Sequence, residues 1–312
     1  MAATRNRASD YLAYLALRLV AMVVHMLGAG RSYRLCRWLG EVFWRVDRRH
    51  RRIACRHLRL SFPDWPEERV RRVARRSMHN MLTLGMEIVL TPRLITPRTW
   101  RRHIRVSNMA ETLRHLLARE RGLLMLTGHF GNFEVVGYTM ATLGFPTVSV
   151  ARPLDNAYIW NYMVGLLERT GQSFLYKAGA LQSVHGVLGS RGSLSVVADQ
   201  DAGRKGVFVD FFGRPASAYK SIALLAMRYE VPVLVGYGKR LGRDEFRFEM
   251  GVGRIIHPRE WAGKDDPVTW ITQEYTRALE AVIRAAPEQY LWTYRRWRHR
   301  PDGSIAGGDG AA

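Results

Sequence analysis

His129 and Glu134 stand five residues apart in the run TGHFGNFEV, directly after the apolar stretch Gly122 to Thr127 (GLLMLT). A second apolar stretch, Leu194 to Ala198 (LSVVA), is followed at once by Asp199, Gln200 and Asp201. Ionisable groups at the ends of apolar strands are penalised by burial unless they are paired or used. On a continuous helix five positions separate two side chains by about 140°, so His129 and Glu134 meet only if His129 sits in a loop. Gly128 and Gly131 let the chain bend there, and Asn132 stands near the start of the next helix. Glu134, in the first turn, then reaches back to the imidazole. That is a base with its orienting acid: the carboxylate fixes the tautomer and stabilises the imidazolium formed on proton abstraction. The plain alternative is a histidine capping a helix beside a solvated glutamate.

No nucleophile accompanies this base. The sequence contains no G-x-S-x-G elbow, no P-loop, no G-x-G-x-x-G and no H-E-x-x-H, so serine hydrolase, NTPase, dinucleotide enzyme and zincin all lack their motifs. Cys36 and Cys55 are the only cysteines, which excludes a disulfide framework and a Cys-based metal site. The reaction left standing is a general base acting on a substrate hydroxyl, with an activated acyl donor supplied by another molecule.

Alternating helices and strands must position these groups. The pattern predicts helices over Met109 to Glu120, Asn132 to Leu143, Tyr158 to Thr170, Ala180 to Gly189, Tyr219 to Arg228 and Pro267 to Ala285. Between them it predicts strands at Gly122 to Thr127, Val148 to Ala151, Leu194 to Ala198 and Val231 to Lys239, with alternation at His103 to Val106 and Glu245 to Gly251. This is an α/β fold: a mixed, largely parallel sheet flanked by helices. Chemistry in such sheets gathers at the carboxyl ends of strands. A helix from Pro66 to Leu90 precedes the body, and two prolines in Thr91 to Arg98 mark a break.

Charge and the N-terminus place the chain at a surface. There are 48 Lys plus Arg against 27 Asp plus Glu, a net charge of +21, and only five of the cations are lysine. Arginine forks suit phosphate-rich partners, although genome composition accounts for the choice of Arg equally well. Tyr11 to Ala29 is apolar apart from Arg18 and His25. It predicts a helix that spans a bilayer, lies in its interface, or packs in the core. Eight arginines from Arg31 to Arg52 follow it, and only Arg5 and Arg7 precede it, which keeps the body on the cytoplasmic face in either membrane arrangement. The expected organisation is an N-terminal membrane-associated helix (1–30), a basic helical region (31–98), the α/β domain (99–302) and a disordered tail (303–312).

Four ordered blocks carry a resemblance to a known family: TGHFGNFEV at 127–135, ARPLDN at 151–156, VADQDAGRKGVFVDFFGRPAS at 197–217 and PEQYLWTYRRWRHRP at 287–301. The first resembles the H-x4-D/E motif of lysophospholipid acyltransferases. Together the blocks resemble the bacterial lipid A late, or secondary, acyltransferases of the lauroyl and myristoyl transferase type. Residues Ala218 to Ser221 (AYKS) depart from the Thr- or Gly-containing turn common in that family.

The resemblance implies a membrane-bound acyltransferase domain over 99–302. It would move a fatty acyl chain from acyl carrier protein to a hydroxyl of a lipid A precursor at the inner membrane, without a cofactor. It implies His129 as general base and Glu134 as the residue that orients and polarises it. Asn132 joins the substrate site. Arg152 pins a lipid phosphate or the thioester oxyanion, or else is a solvated loop residue. Asp199 and Asp201 pair with Arg152 or another buried arginine; a metal between them would have only two carboxylates. Phe208, Phe211 and Phe212 wall an acyl pocket or simply pack the core. Tyr290 to Arg300 mixes rings and arginines, as at a headgroup surface or a single-strand nucleic-acid platform. Nucleic acid would explain the charge but not the apolar N-terminus. The alternatives are an acyl-CoA-dependent enzyme of the same fold acting on a phosphatidylinositol mannoside, an ornithine lipid or an aryl-polyene precursor, and a non-catalytic anionic-lipid or nucleic-acid binding protein.

Overall fold

The computed structural model describes residues 6–176 and 180–305; most of the expected tail lies outside the described residues. Three long helices come first: α1 (Arg7–Val46), α2 (Arg48–Ser61) and α3 (Glu67–Leu94). The apolar stretch of α1 ends at a kink rather than a helix end, because Gly28 adopts φ 69° and ψ 175° and the helix resumes beyond it. Asp47 then separates α1 from α2, its carboxylate accepting the His50 amide at 2.9 Å as an N-cap. The break expected within Thr91 to Arg98 falls at Ile95, so α3 runs four residues past the expected Leu90 and carries Pro92 inside its last turn. That turn is held by the Thr91 hydroxyl on the Glu87 carbonyl (2.7 Å) and by the Ile95 amide on the Thr91 carbonyl (2.9 Å).

The α/β body runs through α4 (Trp100–His103), β1 (Ile104–Ser107), α5 (Ala110–Ala118), β2 (Leu123–Thr127), α6 (Phe133–Thr142) and β3 (Val148–Ala151). It continues with α7 (Ala157–Leu167), β4 (Ser173–Tyr176), α8 (Ala180–Gly189), β5 (Ser193–Val197), β6 (Val207–Asp210) and β7 (Pro215–Ala218). It closes with α9 (Lys220–Tyr229), β8 (Val233–Arg240), β9 (Phe248–Ile256), α10 (Pro258–Trp261) and α11 (Pro267–Ala285). Seven strands form one sheet in the order β1-β9-β8-β2-β5-β3-β4, parallel except where β8 meets β9. The fold is therefore the mixed, largely parallel α/β architecture that the alternation predicts. The pattern did not reveal β4, a four-residue edge strand, or the antiparallel β6–β7 pair, whose second strand reads Pro-Ala-Ser-Ala. Short edge segments with proline and alanine carry little β signal.

Strand residues alternate between two cores. Leu123, Leu234, Phe248, Met250 and Val252 face α1, α3, α6 and α7, whereas Leu124, Leu126, Leu194, Val233 and Val235 face α8, α9 and α11. A third cluster joins α2 and the start of α3 to Phe130, Phe211, Phe212, Tyr290, Trp292 and Trp297. The first half of α1 is tied to the body near both ends: Asn156 donates to the Asp10 carbonyl (2.8 Å), and Arg93 donates to the His25 carbonyl (3.1 Å). Ala21 and Val24 are buried between these ties, while Leu12, Leu19 and Met26 are 65%, 58% and 77% exposed on the outer side.

Candidate active site

The register of two neighbouring parallel strands builds the site. Thr127 at the end of β2 pairs with Val197 at the end of β5, so residues two positions beyond each strand emerge side by side at the carboxyl edge. Those residues are His129 and Asp199. The imidazole Nδ1 lies 2.8 Å from Asp199 Oδ1, and the His129 backbone N–H donates to Oδ2 at 2.9 Å. The carboxylate is 1% exposed and the imidazole 19%. With Nδ1 engaged, Nε2 is the nitrogen left to take a proton. Tyr294 stacks on the imidazole at 5.5 Å and Phe133 meets it edge-on, also at 5.5 Å.

The loop after β2 is pinned by backbone bonds. The Gly131 amide donates to the Gln289 carbonyl (2.9 Å), the Asn132 amide to the Gly238 carbonyl (2.8 Å), and the Leu291 amide to the His129 carbonyl (3.0 Å). Gly131 is required twice over: its φ is +59°, and a Cβ there would stand 2.0 Å from the Gly238 carbonyl oxygen. Asn132 caps α6, its Oδ1 accepting the Val135 amide at 3.0 Å. Its Nδ2 donates to Glu87 Oε2 at 3.0 Å. Glu87 is fully buried and is gripped by Arg240 through Nε (2.6 Å) and Nη2 (2.7 Å), with Tyr33 donating at 2.8 Å. A fork-on-fork pair with every oxygen satisfied is the arrangement a buried carboxylate requires. Asn132 is thus a structural cap in this fold.

Charge separates the two carboxylates of the site. Burial works against an ionised Asp199, but the imidazole beside it and its hydrogen bonds prevail, helped by the nearby Arg296 charge, and its pKa is lowered. Burial also works against a charged His129, yet Asp199, and to a lesser degree Glu134, outweigh it and raise the imidazole pKa. Glu134, half-buried in the first turn of α6, is pushed up to about 7 by burial, opposed by His129 and by a hydrogen bond to Gln172. The bond to the imidazole that the five-residue spacing predicts for Glu134 is therefore made by Asp199. Glu134 remains close enough for its charge to act on His129.

The other expected residues are dispersed. Asp199 bonds to His129 rather than to Arg152, which is exposed on the loop after β3. Asp201 pairs with His299 Nδ1 at 2.5 Å rather than with an arginine. Among the described residues no group of three or more His, Cys, Asp or Glu side chains is placed to hold a metal. Phe211 and Phe212 are buried in the third core, Phe211 stacking on Trp297 at 5.6 Å, and Phe208 is half-buried on β6. Tyr290, Trp292 and Arg296 are each 1% exposed, so this segment supports the site rather than presenting those three side chains to headgroups. Sequence reading missed Tyr294 and Gln172 as neighbours of the pair, because neither is near His129 or Glu134 along the chain.

Known proteins resemble this chain along most of its length. A family profile described as bacterial lipid A biosynthesis acyltransferase matches residues 3–299. A lipid A biosynthesis lauroyltransferase of Escherichia coli (strain K12) is 28% identical over 297 residues, 93% of this chain and 90% of the relative. A lipid A biosynthesis palmitoleoyltransferase of the same organism is 27% identical over 266 residues, 82% of this chain and 81% of the relative. A lipid A biosynthesis acyltransferase of Haemophilus influenzae (strain ATCC 51907 / DSM 11121 / KW20 / Rd) is 25% identical over 301 residues, 92% and 86% respectively.

Proposed function

Because the chain belongs to the bacterial lipid A biosynthesis acyltransferase family and is an acyltransferase, we propose that it moves a fatty acyl chain from acyl carrier protein to a hydroxyl of a lipid A precursor, with His129 as general base. The observation that carries this reading is the His129–Asp199 pair at the carboxyl edge of β2 and β5. Asp199 holds the proton on Nδ1, so Nε2 accepts the acceptor hydroxyl's proton as its oxygen attacks the thioester carbonyl. Collapse of the tetrahedral intermediate expels the thiolate, which the imidazolium can reprotonate. The bond formed is the acyl ester and the bond broken is the thioester. Glu134, titrating near neutrality, is the second acid of the site and polarises the imidazole through its charge.

The apolar outer face of α1 supports attachment to the inner membrane. This helix is long and apolar enough to cross a membrane by length and composition. Its ties to the body at Asp10 and His25 favour a helix lying along the protein with Leu12, Leu19 and Met26 in lipid. The arginines that follow support a body on the cytoplasmic face. The test is a transfer assay on the full chain in detergent, with acyl carrier protein and CoA thioesters offered against lipid A precursors and read by mass. The expected product is an acylated lipid A precursor made from the carrier-protein thioester. No product from either donor, or equal product from His129→Ala, would overturn the reading.

A further inference from the structure

A cavity of about 620 Å³ lies between α2, the β6–β7 turn and the segment after α11. Five arginines line it, Arg56, Arg214, Arg295, Arg298 and Arg300, with His299. Among its described lining residues the one carboxylate is Asp302. Cations gathered in this way repel one another, and Arg214 is half-buried among them. Burial and the neighbouring Arg56 push its pKa down to about 10. Its Nε is buried without a hydrogen-bond partner, while Nη2 donates to Ser61 (3.1 Å) and the guanidinium carbon stands over the Trp297 ring at 3.5 Å. The guanidinium sits against the ring beneath it, and its Nε still lacks an acceptor.

The cavity shares a wall with the reaction site. Tyr294 stacks on His129, and the next residue, Arg295, lines the cavity. Asp201, two residues beyond Asp199, holds His299 in that same lining. A group bound there is therefore positioned relative to the imidazole by two rigid connections.

We propose that this arginine-lined cavity is a phosphate subsite that seats the phosphate ester of one of the two substrates while its reacting group is presented to His129. Phosphate matches planar guanidinium forks and supplies several acceptors, one of which would answer the unpartnered Nε of Arg214. The volume admits a sugar phosphate or a pantetheine phosphate and is far larger than a bare ion needs. The phosphate site follows from the cavity alone; its assignment to a substrate rests on the acyltransfer reading above.

The test uses the full chain in detergent, titrated with glucosamine 1-phosphate and with pantetheine 4′-phosphate, each beside its dephosphorylated counterpart. At least one phosphorylated probe should bind while its counterpart does not. A sugar-phosphate response identifies the acceptor as the source and a pantetheine-phosphate response identifies the donor. Arg214→Gln, and separately Arg298→Gln/Arg300→Gln on two exposed side chains, should weaken that binding about tenfold or more, the loss expected for a charge-assisted bond. In the transfer assay the double variant should raise KM for the same substrate more than it lowers kcat. Equal binding of the phosphorylated and unphosphorylated probes, or unchanged binding by both variants, would overturn the subsite. Phosphate binding that the variants abolish, in a protein that transfers no acyl chain, would instead retire the acyltransfer reading and leave the subsite standing.

Discussion

Asp199 holds His129 at two points, the imidazole Nδ1 at 2.8 Å and the backbone N–H at 2.9 Å. One carboxylate thus fixes both the ring and the loop that carries it. His129→Ala should lower kcat by about 10²-fold or more with the fold intact, the usual contribution of a general base. Asp199→Asn should cost about as much, and its pH profile is the sharper check. Asp199 raises the imidazole pKa, so wild-type activity should climb with pH through a midpoint above the ordinary histidine value. In Asp199→Asn that midpoint should move to lower pH while the plateau falls.

Glu134 makes a prediction of opposite sign for stability. Its folded pKa of about 7 exceeds the ordinary 4.5, so the folded state binds more protons between those values and stability falls as pH rises through that window. Glu134→Gln removes the burden of ionising the site. The variant should be more stable than wild type at pH 8, by no more than about 3–4 kcal/mol from the size of the shift, and the two should converge below pH 4.5. Thermal unfolding at the two pH values checks this.

Gly131 admits no side chain. Gly131→Ala must accommodate a left-handed φ and a Cβ on the Gly238 carbonyl, which costs roughly 1–3 kcal/mol for the backbone conformation alone. Lower thermal stability together with loss of transfer is expected, since the same residue aims the His129 loop.

What the sequence makes legible follows from range. The helix periodicity and the buried strands GLLMLT and LSVVA are local, and they gave the sheet and the two loops that bear chemistry. The His129–Asp199 bond spans 70 positions and depends on β5 inserting beside β2, which no spacing reveals. Its one trace in the sequence is the equal offset, two residues beyond each buried strand. Glu134 stands out in the sequence because it is close to His129 along the chain. The aromatic and basic run after Pro287 reads as a surface by composition, yet the fold buries Trp292 and Arg296 against the third core and the β6–β7 pair.

The buried ion pair is expected to be a keystone of the helical half. Glu87→Ala leaves Arg240 buried without its counter-charge and should destabilise by about 3–5 kcal/mol, read as a fall in the denaturation midpoint. Arg240→Met should be comparably costly by stranding the carboxylate.

The outer face of α1 can be altered without touching its inner contacts. Replacing Leu12, Leu15, Leu19 and Met26 with serine should move the protein from the membrane pellet to the soluble fraction, each side chain forfeiting about 1.5–3 kcal/mol of burial in lipid. Retention of the variant in the pellet would show that other surfaces anchor it.

The Glu87 carboxylate accepts a hydroxyl from α1, an amide from the cap of α6 and a guanidinium from β8. Sliding any of these past another would strip a buried charge of its partners, so the part of α1 beyond the Gly28 kink is locked to the reaction loop. If the proposed lipid contact of α1 holds, that lock and the ties at Asp10 and His25 set the height of the imidazole above the bilayer.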